Sequence, residues 1–169
     1  WMRRFGGTED FLRLVEGIRT REPAAGIRTN VIVGFPGETE EDVLELERFL
    51  TAAELDVVGV FAYSDEDGTE AESLPGKIDL DVIEERHTRI TDLVEELMAQ
   101  RAEARIGEDV TVLVDEVDAE TGESIGRAEH QGPDVDGVMI LPAGTATPGQ
   151  FVTARVVAAE GVDLRGVRP

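Results

Sequence analysis

Two short stretches hold most of the residues whose types and spacing suggest chemistry. The first is TNVIVGFPGETEEDV, Thr29 to Val43, where a β-branched run ends in Gly34, turns through Pro36 and Gly37, and passes into acids. Such a stretch has three readings: a phosphate-cradling loop, a strand end that opens on a cofactor, or a plain strand–turn–helix. GFPGET lacks the lysine and hydroxyl of a Walker loop and does not match GxGxxG, which argues against a triphosphate site. Gly34 would allow close approach to the strand end, and Pro36-Gly37 sets a tight turn. Amides at a helix start attract anions, but Glu38, Glu40, Glu41 and Asp42 already place negative charge there. A neutral or zwitterionic ligand near Gly34 remains open, as does no ligand at all. The second stretch is YSDEDGT, Tyr63 to Thr69, which puts a phenol, a hydroxyl and three acids in one loop.

Other chemistries are narrowed by composition. The chain has no cysteine, so disulfides, thiolate metal sites and a cysteine nucleophile are excluded. His87 and His130 are its two histidines and cannot form a histidine-rich metal site alone. Lys plus Arg is 16 and Asp plus Glu is 37, giving a net charge of −21. That surface repels nucleic-acid phosphates and attracts a basic partner, with general solubility as the simpler explanation. No apolar run approaches membrane-spanning length and no signal peptide opens the chain, so a cytoplasmic protein without a membrane association is expected. The first residue is Trp1, which suggests a piece of something longer.

The elements that must position these residues fall into two regions meeting near Gly107. In the first, Thr8 caps an expected helix bearing Phe11, Leu14, Val15 and Ile18, ending before Pro23 and Gly26. Ile27 to Val33 is the next strand. Thr39 and Asp42 give a Thr-x-x-acid helix start, followed by a buried stripe of Val43, Leu46, Leu50 and Ala53. Val57 to Ala62 is a second strand, Tyr63 to Gly76 a polar loop, and about 81 to 105 a long helix with Ile83, Ile90 and Leu97 seven apart. This rhythm predicts a parallel α/β sheet with its functional loops after the strands' carboxyl ends, at Gly34–Glu38 and Tyr63–Thr69. Two strands cannot close a barrel, so this half looks incomplete. Beyond Gly107, strands and glycine turns predict a small β-barrel of the oligonucleotide-binding size class. The expected domains are therefore 1–106, at net −13, and 107–169, at net −8. A barrel that worked on nucleic-acid backbone would be basic.

Four segments in order resemble the radical S-adenosylmethionine methylthiotransferase family: TNVIVGFPGETEED, YSDEDGTEA after GVFAYS, the ERHTRITDLVEELMAQ helix, and GRAEHQGPDVDGVMIL. The resemblance covers nearly the whole chain. It implies the C-terminal portion of a (β/α) radical domain, then a linker helix and a TRAM domain. It also implies S-adenosylmethionine and two 4Fe–4S clusters, one of them on a CxxxCxxC loop. The cysteines of both are absent from this sequence, so their ligands are expected elsewhere in a longer enzyme and this chain alone is expected to be inactive.

Within the family, the loop YSDEDGT is similar to enzymes that methylthiolate the β-carbon of an aspartate in small-subunit ribosomal protein twelve. The tRNA-adenosine enzymes more often have a YSPRPGT-like loop. An acidic barrel also suits a basic ribosomal protein, with ribosome association, better than tRNA. A non-catalytic acidic interaction module is the alternative from another class. The resemblance places Asn30 by the ribose or amino-acid part of the cofactor, where relatives commonly carry an aspartate. Gly34 and Phe35 fall on its adenine side, and Tyr63 and Ser64 at the same mouth. It assigns Asp65, Glu66 and Asp67 to the substrate end, with plain solvated charge as the alternative. Arg3 and Arg4 would reach a carboxylate of cofactor or substrate, or lie on the surface. Gln131, Asp134 and Asp136 fall on a substrate-docking or interdomain face of the TRAM domain, and His87, inside the long helix, is expected to be a partly buried or surface histidine rather than a base.

Overall fold

The computed structural model describes residues 6–133 and 136–169, so Arg3, Arg4 and Asp134 lie outside the described residues. Helix α1 (Thr8–Arg21) starts at Thr8 itself, so its cap lies one residue earlier than expected. Gly7 is the N-cap, its amide donating to Asp10 Oδ2 at 3.1 Å. The apolar stripe of α1 is also rotated from the expected one. Phe11 and Leu14 are exposed, while Leu12 and Val15 pack on the core. Phe11 instead meets Phe49 edge-on at 6.3 Å. The helical period was correct, but the helix rests on one neighbour with a narrow strip of its surface, and no residue of it is fully buried.

Strand β1 (Arg28–Val33) pairs in parallel with β2 (Val57–Ala62), and the two form a two-stranded sheet. Between them runs α2 (Glu40–Ala53), whose start is the Thr39/Asp42 pair: Thr39 Oγ1 accepts the Asp42 amide, and Asp42 accepts the Thr39 amide at 2.8 Å. A cap of this kind contributes about 1 kcal/mol. At the other end Glu54 takes a left-handed conformation, φ 47°, and Arg19 of α1 donates to the carbonyls of Ala53 and Glu54. The long α3 (Leu80–Glu103) follows. Val31, Val33, Val58 and Val60 turn toward the helices and join Val43, Leu50, Ile90 and Val94 in one core. The other face of the sheet is bare: Ile32 is 44% and Phe61 54% exposed. Parallel sheets bury both faces, so this half has the architecture of part of a larger α/β layer.

Helix α3 also protects the outer edge of β2. Val58 N–H points at Met98 Sδ (3.3 Å), and His87 Nε2 lies 3.3 Å from the Val60 carbonyl. His87 is partly buried at this edge.

Five strands close the second half: β3 (Asp109–Val117), β4 (Ser124–Ala128), β5 (Met139–Leu141), β6 (Phe151–Glu160) and β7 (Asp163–Val167), ordered β3-β4-β5-β7-β6. All neighbours are antiparallel except β5 and β7. Alternate residues point inward, Val110, Val112 and Val114 from β3 and Val152, Ala154 and Val156 from β6, and Ala102 from the end of α3 joins the same core. The architecture is thus a partial α/β layer followed by a small closed barrel.

Candidate functional site

The expected mouth forms at the carboxyl end of the two strands. Tyr63 N–H donates to the Val33 carbonyl at 2.8 Å, continuing the sheet by one bond, and Gly37 N–H donates to Gly76 O at 2.9 Å. These bonds draw the loops after β1 and β2 together. Phe35 and Tyr63 meet edge to face at 5.3 Å. The Tyr63 hydroxyl donates to Asp65 Oδ1 at 2.6 Å, and Lys77 reaches Asp65, the Tyr63 hydroxyl (3.2 Å) and the Ala71 carbonyl (3.0 Å). Ser64 Oγ lies 3.3 Å from Glu66 Oε1, and Ser64, Glu66 and Asp67 are exposed. The Asp65 hydrogen bond pushes the Tyr63 phenol above its ordinary range, while Lys77 and Tyr63 hold the Asp65 carboxyl below its own. Phe35, Tyr63, Ser64, Asp65, Glu66 and Asp67 are thus brought to one rim.

Gly34 answers to a different neighbour from the one its sequence suggested. Its φ is +84°, and a Cβ there would stand 2.7 Å from Ile83 Cγ1. The close approach is made by α3, and no ligand is needed to explain the glycine. Its amide donates to Glu38 Oε1 at 3.0 Å, and Arg86 donates to the same oxygen at 2.9 Å. The chain's own carboxylate therefore occupies the amide that an anion would have used.

Asn30 stands apart from the rim. It sits mid-strand on the bare face opposite Gly59, and a Cβ on Gly59 would lie 2.5 Å from Asn30 Oδ1. The glycine gives the amide room, and the amide makes no hydrogen bond with described residues. An exposed amide beside Ile32 and Phe61 suits a neutral or zwitterionic ligand with an apolar part. That donor set fits part of an S-adenosylmethionine site. It does not fit an iron–sulfur cluster, for which the chain has no thiolate. Among the described residues no group of His, Cys, Asp and Glu is arranged to hold a metal ion.

The barrel residues lie at the opposite end of the sheet. Arg28, the first residue of β1, pairs with Asp136 at 3.3 Å. Five residues of strand separate this contact from Val33, about 17 Å. Asp136 is buried, with Gly132 N–H donating to its Oδ2 at 2.7 Å. Gln131 is buried too, its Oε1 accepting the Ala128 amide at 2.9 Å and its Nε2 donating to the Asp136 carbonyl at 3.5 Å. A Cβ on Gly26 would lie 2.1 Å from the His130 carbonyl, so the chain ahead of β1 passes directly against the barrel.

Beside this contact lies an ionic hub that sequence reasoning missed. Asp56 accepts the Ile27 amide at 2.8 Å, Arg105 at 2.5 Å and Arg101 at 3.2 Å, and Arg105, 1% exposed, continues to Glu108 at 3.1 Å. Burial pushes the Asp56 carboxyl up, but the Ile27 amide and the two guanidinium groups outweigh it and leave the group below its usual range. His130 lines the same small cavity, and burial, with Arg105 nearby, lowers its pKa to about 4. The available signal was the four-residue spacing of Arg101 and Arg105, which puts both on one helix face. For Lys77, the signal was one base closing a loop with five acids.

Among the described residues, three of the barrel's arginines are paired with acids. Arg127, Arg155 and Arg165 pair with Asp115, Asp109 and Glu123. Among the described residues no helix is long and apolar enough to cross a membrane.

Comparison with known proteins matches this architecture. Residues 106–168 match the TRAM domain model. Over 99% of its length the chain is 60% identical to the ribosomal protein uS12 methylthiotransferase RimO of Saccharopolyspora erythraea, covering 34% of that protein. It is 62% identical to that of Kineococcus radiotolerans over 96% of the chain and 35% of the relative, and 57% identical to that of Streptomyces avermitilis over 96% and 33%. The chain thus spans about a third of the length of the curated relatives it matches. With a partial α/β layer, a closed barrel that matches TRAM, and identity along nearly all of its residues, this chain is similar to a TRAM-bearing third of the methylthiotransferases named above.

Proposed function

We propose that the chain is part of an enzyme that adds a methylthio group to the β-carbon of an aspartate in ribosomal protein uS12. The observation that carries this reading is identity of 54–62% with uS12 methylthiotransferases across at least 96% of the chain in five relatives. The charge supports it: a basic ribosomal protein, free or on the ribosome, meets an acidic rim and a barrel at net −8. The tRNA-adenosine reaction gains nothing from the barrel, whose arginines at 127, 155 and 165 face acids.

In the whole enzyme, S-adenosylmethionine and two 4Fe–4S clusters would supply radical and sulfur chemistry in the cytoplasm. No cluster ligand comes from this chain, so no step of the reaction is completed by it alone, and the alternative of an acidic interaction module describes the isolated fragment. The residues here have narrower tasks. Asn30 offers an amide to the polar part of the cofactor, with Ile32 and Phe61 beside it. Phe35 and Tyr63 form an aromatic wall at the mouth, and Ser64, Asp65, Glu66 and Asp67 give the rim its negative charge. Gly34 shapes the strand end. Gln131 and Asp136 act on the interdomain side, fixing the barrel to the start of β1. Arg3, Arg4 and Asp134 keep their proposed carboxylate or docking contacts as assignments from sequence.

The test is an assay of a methylthiotransferase of the relatives' full length carrying this sequence, with reduced clusters, on uS12 and on tRNA. Methylthiolation of an aspartate in uS12 is expected. Reaction on tRNA adenosine alone would replace this reading with the sister activity, and no reaction on either would leave the interaction module.

A further inference from the structure

Lys77 is the chain's one lysine and Tyr63 its one tyrosine, and the two touch. The loop they close, residues 63–77, carries Asp65, Glu66, Asp67, Glu70 and Glu72 and no other base. An ammonium has three donors, and here Asp65, the Tyr63 hydroxyl and the Ala71 carbonyl use them. Its charge also lies 5.1 Å over the Tyr63 ring, within cation–π range. One side chain thus ties the start, middle and end of the loop together. Through Tyr63 it also fixes the ring that packs on Phe35.

We propose that Lys77 is a positioning residue for the substrate end of the site: it clamps Tyr63 and Asp65 so that the Phe35–Tyr63 wall and the Glu66–Asp67 lip face an incoming basic protein segment. This rests on the function proposed above. Lys77 neutralises Asp65, so the free negative charge of the lip comes from Glu66 and Asp67, one and two residues further on. Loss of the clamp leaves a loop with five acids held to the rest of the chain at its two ends, by Tyr63 N–H on Val33 and Gly37 N–H on Gly76. The lip then loses its fixed distance from the aromatic wall, which weakens productive docking of a basic chain more than it alters cofactor contacts near Asn30.

Two measurements test this. In the 169-residue chain, ultraviolet titration of the single tyrosine reports the clamp directly. Lys77→Met is expected to push the phenol pKa further up, because the Asp65 carboxylate beside it is no longer balanced, and Asp65→Asn to bring it down. In the full-length enzyme, Lys77→Met is expected to raise KM for uS12 about tenfold or more, with KM for S-adenosylmethionine little changed and Lys77→Arg restoring most of the loss. An unchanged phenol titration in Lys77→Met overturns the clamp. A shifted titration with unchanged KM for uS12 overturns its positioning role. Failure of the unsubstituted enzyme to act on uS12 overturns the functional reading itself, and the titration then judges the clamp separately.

Discussion

The two ends of the β1–β2 sheet use the same kinds of residue for opposite purposes. At the amino end, Asp56, Arg101, Arg105 and Asp136 are drawn into the contact between sheet and barrel, with Arg105 and Asp136 almost fully buried. At the carboxyl end, Asp65, Glu66 and Asp67 stand in solvent, and Lys77 is over a third exposed. Burial decides the difference. A charge removed from water must be paired and hydrogen-bonded, and deleting one partner strands the other. An exposed pair is screened and contributes little to stability. The amino end is therefore built for rigidity, while the carboxyl end leaves its charges in solvent.

The comparison breaks most visibly at Asp56. Asp56→Ala leaves Arg105 buried without its carboxylate and frees the Ile27 amide, and is expected to destabilise the chain by about 3–5 kcal/mol in urea unfolding. Asp65→Ala at the other end should cost under about 1 kcal/mol by the same measurement. Equal losses at the two sites would refute the division.

Gly34 separates structure from function within the carboxyl end. Gly34→Ala sets a Cβ against Ile83 at a left-handed φ, with an expected loss of about 1–3 kcal/mol, and the same substitution should cost less when made in an Ile83→Ala background. A fully stable single variant would mean that α3 does not hold the strand end as described.

Acid should act on the amino end first. His130 has a folded pKa of about 4 against an ordinary value of 6.5, so the neutral form is the one the fold prefers. Its contribution is fully present above about 6.5 and is lost as pH falls toward 4. Asp56, held below its usual range, adds a second loss from about 4 downward. His130→Gln should flatten the stability curve between pH 6.5 and 4, measured by thermal melts, while Asp56→Asn should flatten the part below it. The smallest effect is expected at Glu54, where φ is 47°. Replacement by glycine relieves the left-handed strain and should change stability by under about 1 kcal/mol in the stabilising direction.

Much of this was legible in the chain. The Thr39/Asp42 helix start, both strands of the sheet and the turn to a glycine-punctuated barrel follow from local signals, because each depends on neighbours in sequence. The rim at Phe35, Tyr63 and Asp65 was legible as strand-end loops. The rest depends on long-range packing. Which face of α1 is buried depends on where α2 lies, so Phe11 and Leu14 were misplaced. Gly34 faces a residue 49 positions away, and Asp56 meets Arg105 at the same separation. No periodicity in sequence specifies such pairings. Gln131 and Asp136 were legible as members of a distinctive loop, whereas their burial against the start of β1 follows only once the barrel is docked.

The proposal most in need of a test is that the acidic rim serves a basic protein substrate while the buried charges at the other end serve the fold. Its most direct test is mass spectrometry of uS12 from cells whose enzyme carries Glu66→Gln with Asp67→Asn, beside thermal melts of the same variant. The account predicts a normal melt and loss of most of the methylthio group from the uS12 aspartate. Full modification of uS12 by that variant would contradict it.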